Sequence, residues 1–367
     1  MAFKENKFNR DNLKMKKIKN VATLTLPLHH NYGGLIQAFA LQTFLKKNGY
    51  DSKVINIDAH SVKPLILSIA YRLKAMILNK KHDELDEISG FPKRYIDLTN
   101  KIYSLSDWKR YDINAFDAYI VGSDQVWRAD YANNIECFYF NEIERTGKVL
   151  MSYAASLGFD DVRYNENTIK SCAQLLKNFK AVSLRESEAI HNFSSKMGVS
   201  ASSVLDPTML LEKDDYEELI EQDNIFCKDK IFSYILDKNN EKTKILDYCQ
   251  LKLNVPYYIF NSEGRKRSMN DWLSGFKNSS FIVTDSFHGV VFSIIYRKQF
   301  IAIGNASRGL SRFVSLLGKL NLSNRLVLNF DESKNIDLLG IDYAEVKKVL
   351  NKQILISKKF LLKNLES

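Results

Sequence analysis

The stretch "TDSFHGVVFSIIY" (284–296) sets a histidine between an apolar run and an apolar helical turn, in a chain with six histidines in all. "SFIV" before it reads as a buried parallel strand and "GVVFSIIY" after it as a helix packed on that strand. His288 therefore falls at a strand-to-helix junction, the place where open α/β sheets bind ligands. An imidazole there titrates near neutral pH and can give or take a proton. Asp285, Ser286 and Phe287 precede it, Gly289 lets a ligand approach the backbone, and the helix behind directs N–H groups at an anion. A core histidine satisfied by backbone is the competing reading.

Four other junctions carry polar residues in similar places. "VGSDQVWR" (121–128) follows an apolar run with Ser123, Asp124, Gln125 and Trp127. The acid can orient or deprotonate a hydroxyl and the indole can face a sugar, while Ser123 can equally be a helix cap. "VSLRESEAI" (182–190) ends a strand on Arg185, whose planar fork suits phosphate or carboxylate; an ion pair with Glu186 or Glu188 is the plainer alternative. In "HHNYGG" (29–34), Gly33 and Gly34 allow a tight turn, and Asn31 and Tyr32 offer an amide and a flat ring to a sugar. Gln37, in the helix that follows, is placed with them on the acceptor side. In "GNASRGLSRF" (304–313), Arg308 and Arg312 lie one helical turn apart and face one way.

Something must hold these junctions together. "VATLTLP", a helix through "GGLIQAFALQTFLKKNGY" and "SKVINI" make a βαβ opening, and Lys46, Lys47 and Asn48-Gly49 close that helix. Strands follow at "DAYIVG", "KVLMSYAAS", "KAVSLR" and "SVLD", and Pro207 ends the first unit before the acidic run "EKDDYEELIEQD", read as a surface helix. A second alternating series runs from "KIFSYIL" through "QFIAIG" to "GLSRFVSLLGKL". The expected architecture is α/β, with two Rossmann-like αβα domains facing across a cleft. Its divisions are a basic tail (1–17), an N-terminal domain (18–207), a C-terminal domain (208–335) and a helical segment (336–367).

Composition narrows the function. With 45% hydrophobic and 26% charged residues the chain is an ordered globular protein, long enough for two cores. Its four cysteines show no metal-ligand spacing, which predicts reduced core thiols, a cytoplasmic setting and no metal site. The first residues lack the apolar core of a secretory signal, and no segment is apolar enough for a membrane span. The net charge of +10 is spread out, and no nucleic-acid-binding signature accompanies it. An anionic small ligand or an anionic membrane surface fits better. Residues 62–81 mix lysine and arginine with leucine, isoleucine and methionine, as in an interfacial helix or a core-facing helix with a basic solvent side.

The chain resembles the polysaccharide pyruvyl transferase family over about residues 20–330, through "NYGGLIQAFALQ", "FDAYIVGSDQVW", "SYAASLG", "VSLRE", "VLDPTMLL" and "TDSFHGVVFSIIY" in the family's order. The resemblance implies a glycosyltransferase-B-like fold. It also implies transfer of the enolpyruvyl group of phosphoenolpyruvate onto two hydroxyls of a sugar, leaving a pyruvate ketal and inorganic phosphate. Arg185 matches the family's donor-binding arginine, His288 its donor-site histidine, and Arg308 a basic position further on. Many members carry arginine where this chain has Ser286, a lost phosphate contact that Arg308 or Arg312 can replace. The chemistry then needs cations for the donor, His288 as acid and Asp124 as base, with no obligatory cofactor. The acceptor is expected to be lipid-linked, at the inner face of the membrane. A nucleotide-sugar glycosyltransferase of the same fold and a non-catalytic glycan-binding protein are the alternatives.

Overall fold

Val21, Ala22 and Leu24 have no solvent exposure, and the run they belong to forms β1 (Asn20–Leu24), the second strand of a five-stranded sheet. The computed structural model describes residues 18–57, 87–103, 107, 115–132, 134–143, 146–262, 266–305 and 309–366. α1 (Tyr32–Lys47) follows β1 and leads to β2 (Asp51–Val54). The first sheet adds β3 (Ala118–Val121), β4 (Val149–Ser152) and β5 (Phe179–Ala181), in the order β2-β1-β3-β4-β5 and parallel throughout.

"KAVSLR", read as one strand, breaks after β5 and resumes as β6 (Ser183–Leu184), which pairs with β7 (Ser202–Ser203). Serine side chains cause the break. Ser183 N–H donates to Ser152 Oγ (2.8 Å) and Ser183 Oγ to the Ser152 carbonyl (3.0 Å), replacing ladder bonds between the two backbones. The acidic run after Pro207 yields only one short helix, Lys213–Glu217.

The second sheet has the order β12-β11-β10-β8-β9, again parallel: β8 (Ile231–Tyr234), β9 (Tyr257–Ile259), β10 (Phe281–Thr284), β11 (Phe300–Ile303) and β12 (Leu326–Val327). Successive strand residues point to opposite faces, and the burial shows it. In the first sheet Val21, Ala118, Ile120 and Met151 enter one apolar cluster while Ala22, Leu24, Tyr119 and Leu150 enter another. The second sheet divides likewise, Phe232, Ile282 and Phe300 on one side, Ile231, Phe281 and Ile301 on the other.

Each sheet therefore buries one face privately and gives the other to a core common to both. Tyr32 of α1 stacks on Trp272 across that core (5.7 Å between centroids, 18° between planes). The last helix, α2 (Tyr343–Glu366), belongs to the shared core as well. It returns to the N-terminal domain, where Ser357 Oγ accepts from Leu205 N–H (2.9 Å) and Leu361 and Leu365 are buried. Its first residue is held by the C-terminal domain, Tyr343 Oη donating to the Ser293 and Lys298 carbonyls, so the C-terminal helical segment packs on both domains.

All four cysteines are buried and unpaired, and burial pushes each thiol up to about 12. Among the described residues no helix is long and apolar enough to cross a membrane. Residues 62–81 lie outside the described residues.

Candidate functional site

β10 ends at Thr284, and α3 (Phe287–Ile295) starts after a two-residue turn, so His288 lies in the helix's first turn. Ser286 is the N-cap, its Oγ accepting from Gly289 N–H (3.4 Å). Asp285 is turned away from chemistry: it accepts from Leu236 N–H (2.6 Å), Asp237 N–H (3.1 Å) and the buried Lys242 ammonium (2.6 Å), tying down the loop after β8. The His288 ring is 5% exposed and abuts Gly33 from the other domain; a Cβ on Gly33 would stand 2.1 Å from its Nδ1. Two helix N-termini, one from each domain, thus meet at the imidazole.

The opposite wall comes from three segments at the carboxyl edge of the first sheet. Isolated bridges join Asp124 to Ala155 and Ala155 to Leu184, which sets Asp124 and Arg185 side by side. Asp124 adopts the left-handed backbone (φ 69°), a region that aspartate tolerates better than most residues. Arg185 is 3% exposed; its Nη1 donates to Asp206 Oδ2 (2.7 Å) and its Nη2 lies 3.5 Å from Asp124 Oδ1.

Asp206 links the walls. Its side chain is wholly buried, and Oδ2 accepts from Arg185 and from Ser123 Oγ (3.2 Å) and stands 3.6 Å from His288 Nε2. Oδ1 accepts from Thr208 N–H (3.0 Å) and Thr208 Oγ1 (2.6 Å). Burial, the largest influence, pushes this carboxyl up, but His288, Arg185 and Thr208 together hold it well below the usual carboxylate range. It is an anion fixed behind the histidine. His288 Nε2 is buried and has no hydrogen-bond partner within reach.

Arg312, on α4 (Leu310–Lys319), completes the cluster. Its guanidinium carbon lies 5.5 Å from the Phe287 ring centroid, and that of Arg185 lies 4.4 Å from the same ring. Burial first, and then Arg185, push the Arg312 pKa down to about 10. Two cations on one ring are relieved by an anion. Between the domains lies a cavity of about 820 Å³, bordered by Asp124, Gln125, Ser286, Phe287, His288 and Arg312 and, toward its mouth, by Asn31, Lys238 and Lys266.

The family model of the polysaccharide pyruvyl transferases matches residues 31–307, a span that contains every one of these groups except Arg312. The chain belongs to the polysaccharide pyruvyl transferase family. It is accordingly a transferase of polysaccharide biosynthesis. No curated protein matches the chain by sequence. By structure it is similar to the UDP-N-acetylglucosamine 2-epimerase of Rickettsia bellii (TM-score 0.52, 10% identity, 95% of this chain and 97% of that chain covered). It is also similar to the UDP-GlcNAc 2-epimerase of Methanocaldococcus jannaschii in complex with UDP-GlcNAc and UDP (TM-score 0.50, 12% identity, 89% and 94% covered). These likenesses establish the fold, two Rossmann-like domains of glycosyltransferase-B type.

Within this pyruvyl transferase the structure sorts the residues expected from sequence. His288, Asp124, Gln125, Ser286, Phe287, Arg312, Asn31 and Tyr32 all border the cavity. Arg185 does not: it is withdrawn behind Phe287, paired with Asp206 and Asp124 rather than with Glu186 or Glu188. Gly289 lies against Thr284, where a Cβ would meet Oγ1 at 2.1 Å, so it serves helix–strand packing.

Trp127 is a correction. Its indole is fully buried, sandwiched between Tyr139 (4.9 Å, 7°) and Phe193 (5.2 Å, 9°), and its N–H donates to the Phe138 carbonyl (3.0 Å), so neither face is open to a sugar. Gln37 and Ser123 are corrected likewise. Gln37 is fully buried and braces the loop, accepting from Ser123 N–H (3.1 Å) and donating to Thr25 Oγ1 (2.9 Å), while Ser123 Oγ serves Ala154 and Asp206. Arg308 lies outside the described residues.

Asp206 is the residue the sequence reading missed. The signal was present, an acid at the carboxyl end of "SVLD" just as Asp124 ends its own strand, but the following proline marks a domain boundary equally well. Among the described residues no cluster of His, Cys, Asp or Glu is arranged to hold a metal ion.

Proposed function

We propose that the protein moves the enolpyruvyl group of phosphoenolpyruvate onto two hydroxyls of a sugar, giving a pyruvate ketal and inorganic phosphate. The observation that carries this reading is one cavity into which His288, Asp124 and Arg312 converge from both domains, backed by the buried Asp206 carboxylate. Protonation of the methylene carbon by His288 makes the adjacent carbon electrophilic, and a sugar hydroxyl attacks it as Asp124 takes the hydroxyl proton. The phosphate then leaves with a proton, and the second hydroxyl closes the ketal. In sum, one hydroxyl proton ends on the new methyl group and the other on phosphate.

Each charge in the site has a task in this scheme. Arg312 and the N–H groups of the first turn of α3 receive the phosphate and carboxylate of the donor. Asp206 lies against Nε2 as a counter-charge when His288 carries its proton, as the oriented carboxylate of a catalytic triad does. Arg185 holds Asp206 and Asp124 apart from each other's repulsion, and its buried Nε has no hydrogen-bond partner, which leaves a donor for a substrate anion if Phe287 shifts. The scheme uses no cofactor, since the enol phosphate carries its own activation.

A lipid-linked acceptor suits a protein that touches an anionic membrane. α2 supports such a contact: Lys348, Lys352, Leu355 and Lys359 recur at helical spacing on one face, and Leu355 and its neighbour Ile356 are 68% and 52% exposed. The test of the whole reading is phosphate release from phosphoenolpyruvate across a panel of free, nucleotide-linked and lipid-diphosphate-linked sugars. Release of nucleotide from a sugar nucleotide would favour a glycosyltransferase instead. Absence of both would leave a glycan-binding protein.

A further inference from the structure

With Trp127 buried, the cavity needs another surface for a sugar ring. Of the aromatic residues bordering it, Tyr32, Tyr234, Phe260 and Phe287 are at most 5% exposed, whereas Tyr131 is 44% exposed. Tyr131 ends the turn Ala129–Tyr131, four residues after Trp127. The Arg128 guanidinium carbon sits 4.5 Å from its ring centroid and so covers part of the ring.

Arg128 is itself fixed. It is 8% exposed; Nη1 donates to Gln125 Oε1 (3.2 Å), Nε pairs with Asp130 (3.3 Å), and its guanidinium carbon is also 4.5 Å from the Phe159 centroid. Arg163 stands 3.5 Å from that same ring and extends the series outward. Gly158 (φ 73°) makes room for this packing, since a Cβ there would meet Gln125 Oε1 at 2.3 Å and Arg128 Cδ at 3.0 Å. Tyr131 is thus a braced ring whose uncovered part is turned to solvent in the cavity. Tyr131 and Arg312 border the same cavity. A sugar resting on Tyr131 therefore shares that cavity with the anion end of the site.

We propose that Tyr131 is the stacking platform for the acceptor sugar, held by Arg128. The C–H bonds on one face of a pyranose carry slight positive charge and meet the negative face of the ring, and a braced ring loses little conformational freedom on binding. The chemical class is a neutral or 2-acetamido pyranose. The inference rests on the proposed reaction only for the identity of the second substrate, and its test therefore reads binding separately from turnover.

Saturation-transfer NMR is run with methyl pyranosides of gluco, galacto and manno configuration and their 2-acetamido counterparts, on wild type, Tyr131→Ala and Tyr131→Phe. The expectation is that Tyr131→Ala weakens sugar binding about tenfold while Tyr131→Phe stays within about twofold, as an aromatic contact of ordinary strength requires. In turnover, Tyr131→Ala should raise the KM for sugar and leave that for phosphoenolpyruvate within a factor of about two. The proposal is overturned if Tyr131→Ala binds sugars as wild type does, or if Tyr131→Phe loses as much as Tyr131→Ala, which would assign the effect to the hydroxyl. It is overturned too if wild type binds none of the panel. Tyr131-dependent binding without phosphate release would leave the platform standing and sink the proposed reaction.

Discussion

Adding one methyl group at Gly33 tests whether the His288 ring must sit where it does. The Cβ of Gly33→Ala would stand 2.1 Å from His288 Nδ1, 2.7 Å from Cγ and 2.8 Å from Cε1. Non-bonded carbon contacts settle near about 3.5 Å or more, so the ring must retreat by about 1 Å. On the far side Nε2 faces Asp206 at 3.6 Å, and retreat changes that geometry too. A displacement of that size at a reacting group costs about 100-fold in rate. Stability moves less, because alanine within a helix gains about 0.5–1 kcal/mol over glycine, which offsets part of an overpacking cost of about 1–3 kcal/mol. Phosphate release and thermal melting are measured on one preparation. Gly34→Ala is the control, since its Cβ meets only the exposed Asn31 amide at 3.2 Å, and it should retain turnover. His288→Ala should lose about 10²- to 10⁴-fold, and adding Gly33→Ala to it should cost little more, because both changes act on one group. Turnover of Gly33→Ala within threefold of wild type, or an equal loss in Gly34→Ala, would refute the reasoning.

Arg185→Ala should destabilise the protein by about 3–5 kcal/mol in urea melts, since it strands two buried carboxylates, Asp124 and Asp206, and Arg185→Lys should rescue only in part because it lacks the fork. Asp206 makes a pH-dependent contribution whose sign follows from its lowered pKa: the stabilisation is complete above the unfolded carboxylate value of about 3.9 and is lost as pH falls toward the folded one. Melting temperatures between pH 2.5 and 7 should therefore fall below about pH 4, and Asp206→Asn, less stable at pH 7, should show a shallower acid limb; parallel curves would remove Asp206 from that role. For the membrane contact, pelleting with phosphatidylglycerol vesicles should exceed pelleting with phosphatidylcholine vesicles, decline with salt, and drop in Leu355→Gln/Ile356→Gln; equal pelleting with both vesicle types would dismiss α2 as the contact.

Sequence alone determined the parallel sheets and most of their strands, because alternation of period two and apolar runs bounded by turns are local signals. It also placed His288, Asp124 and Arg312 at carboxyl edges of those sheets, since in a parallel βα repeat the strand ends all fall on one side. What it left open is which polar side chains turn inward. Trp127 and Gln37 lie in the same motifs as Asp124 and Asn31, yet the first is clamped between Tyr139 and Phe193 and the second braces Ser123. No spacing rule separates them. Asp206 meets Ser123 across 83 residues of chain, and reaches His288 only because the shared core of Tyr32, Trp272 and the returning helix α2 closes one domain on the other. Periodicity fixes the face on which a residue lies; the partner of a buried charge depends on the packing of segments far apart in sequence, where desolvation makes each carboxylate settle against whatever cation the assembled fold brings within reach.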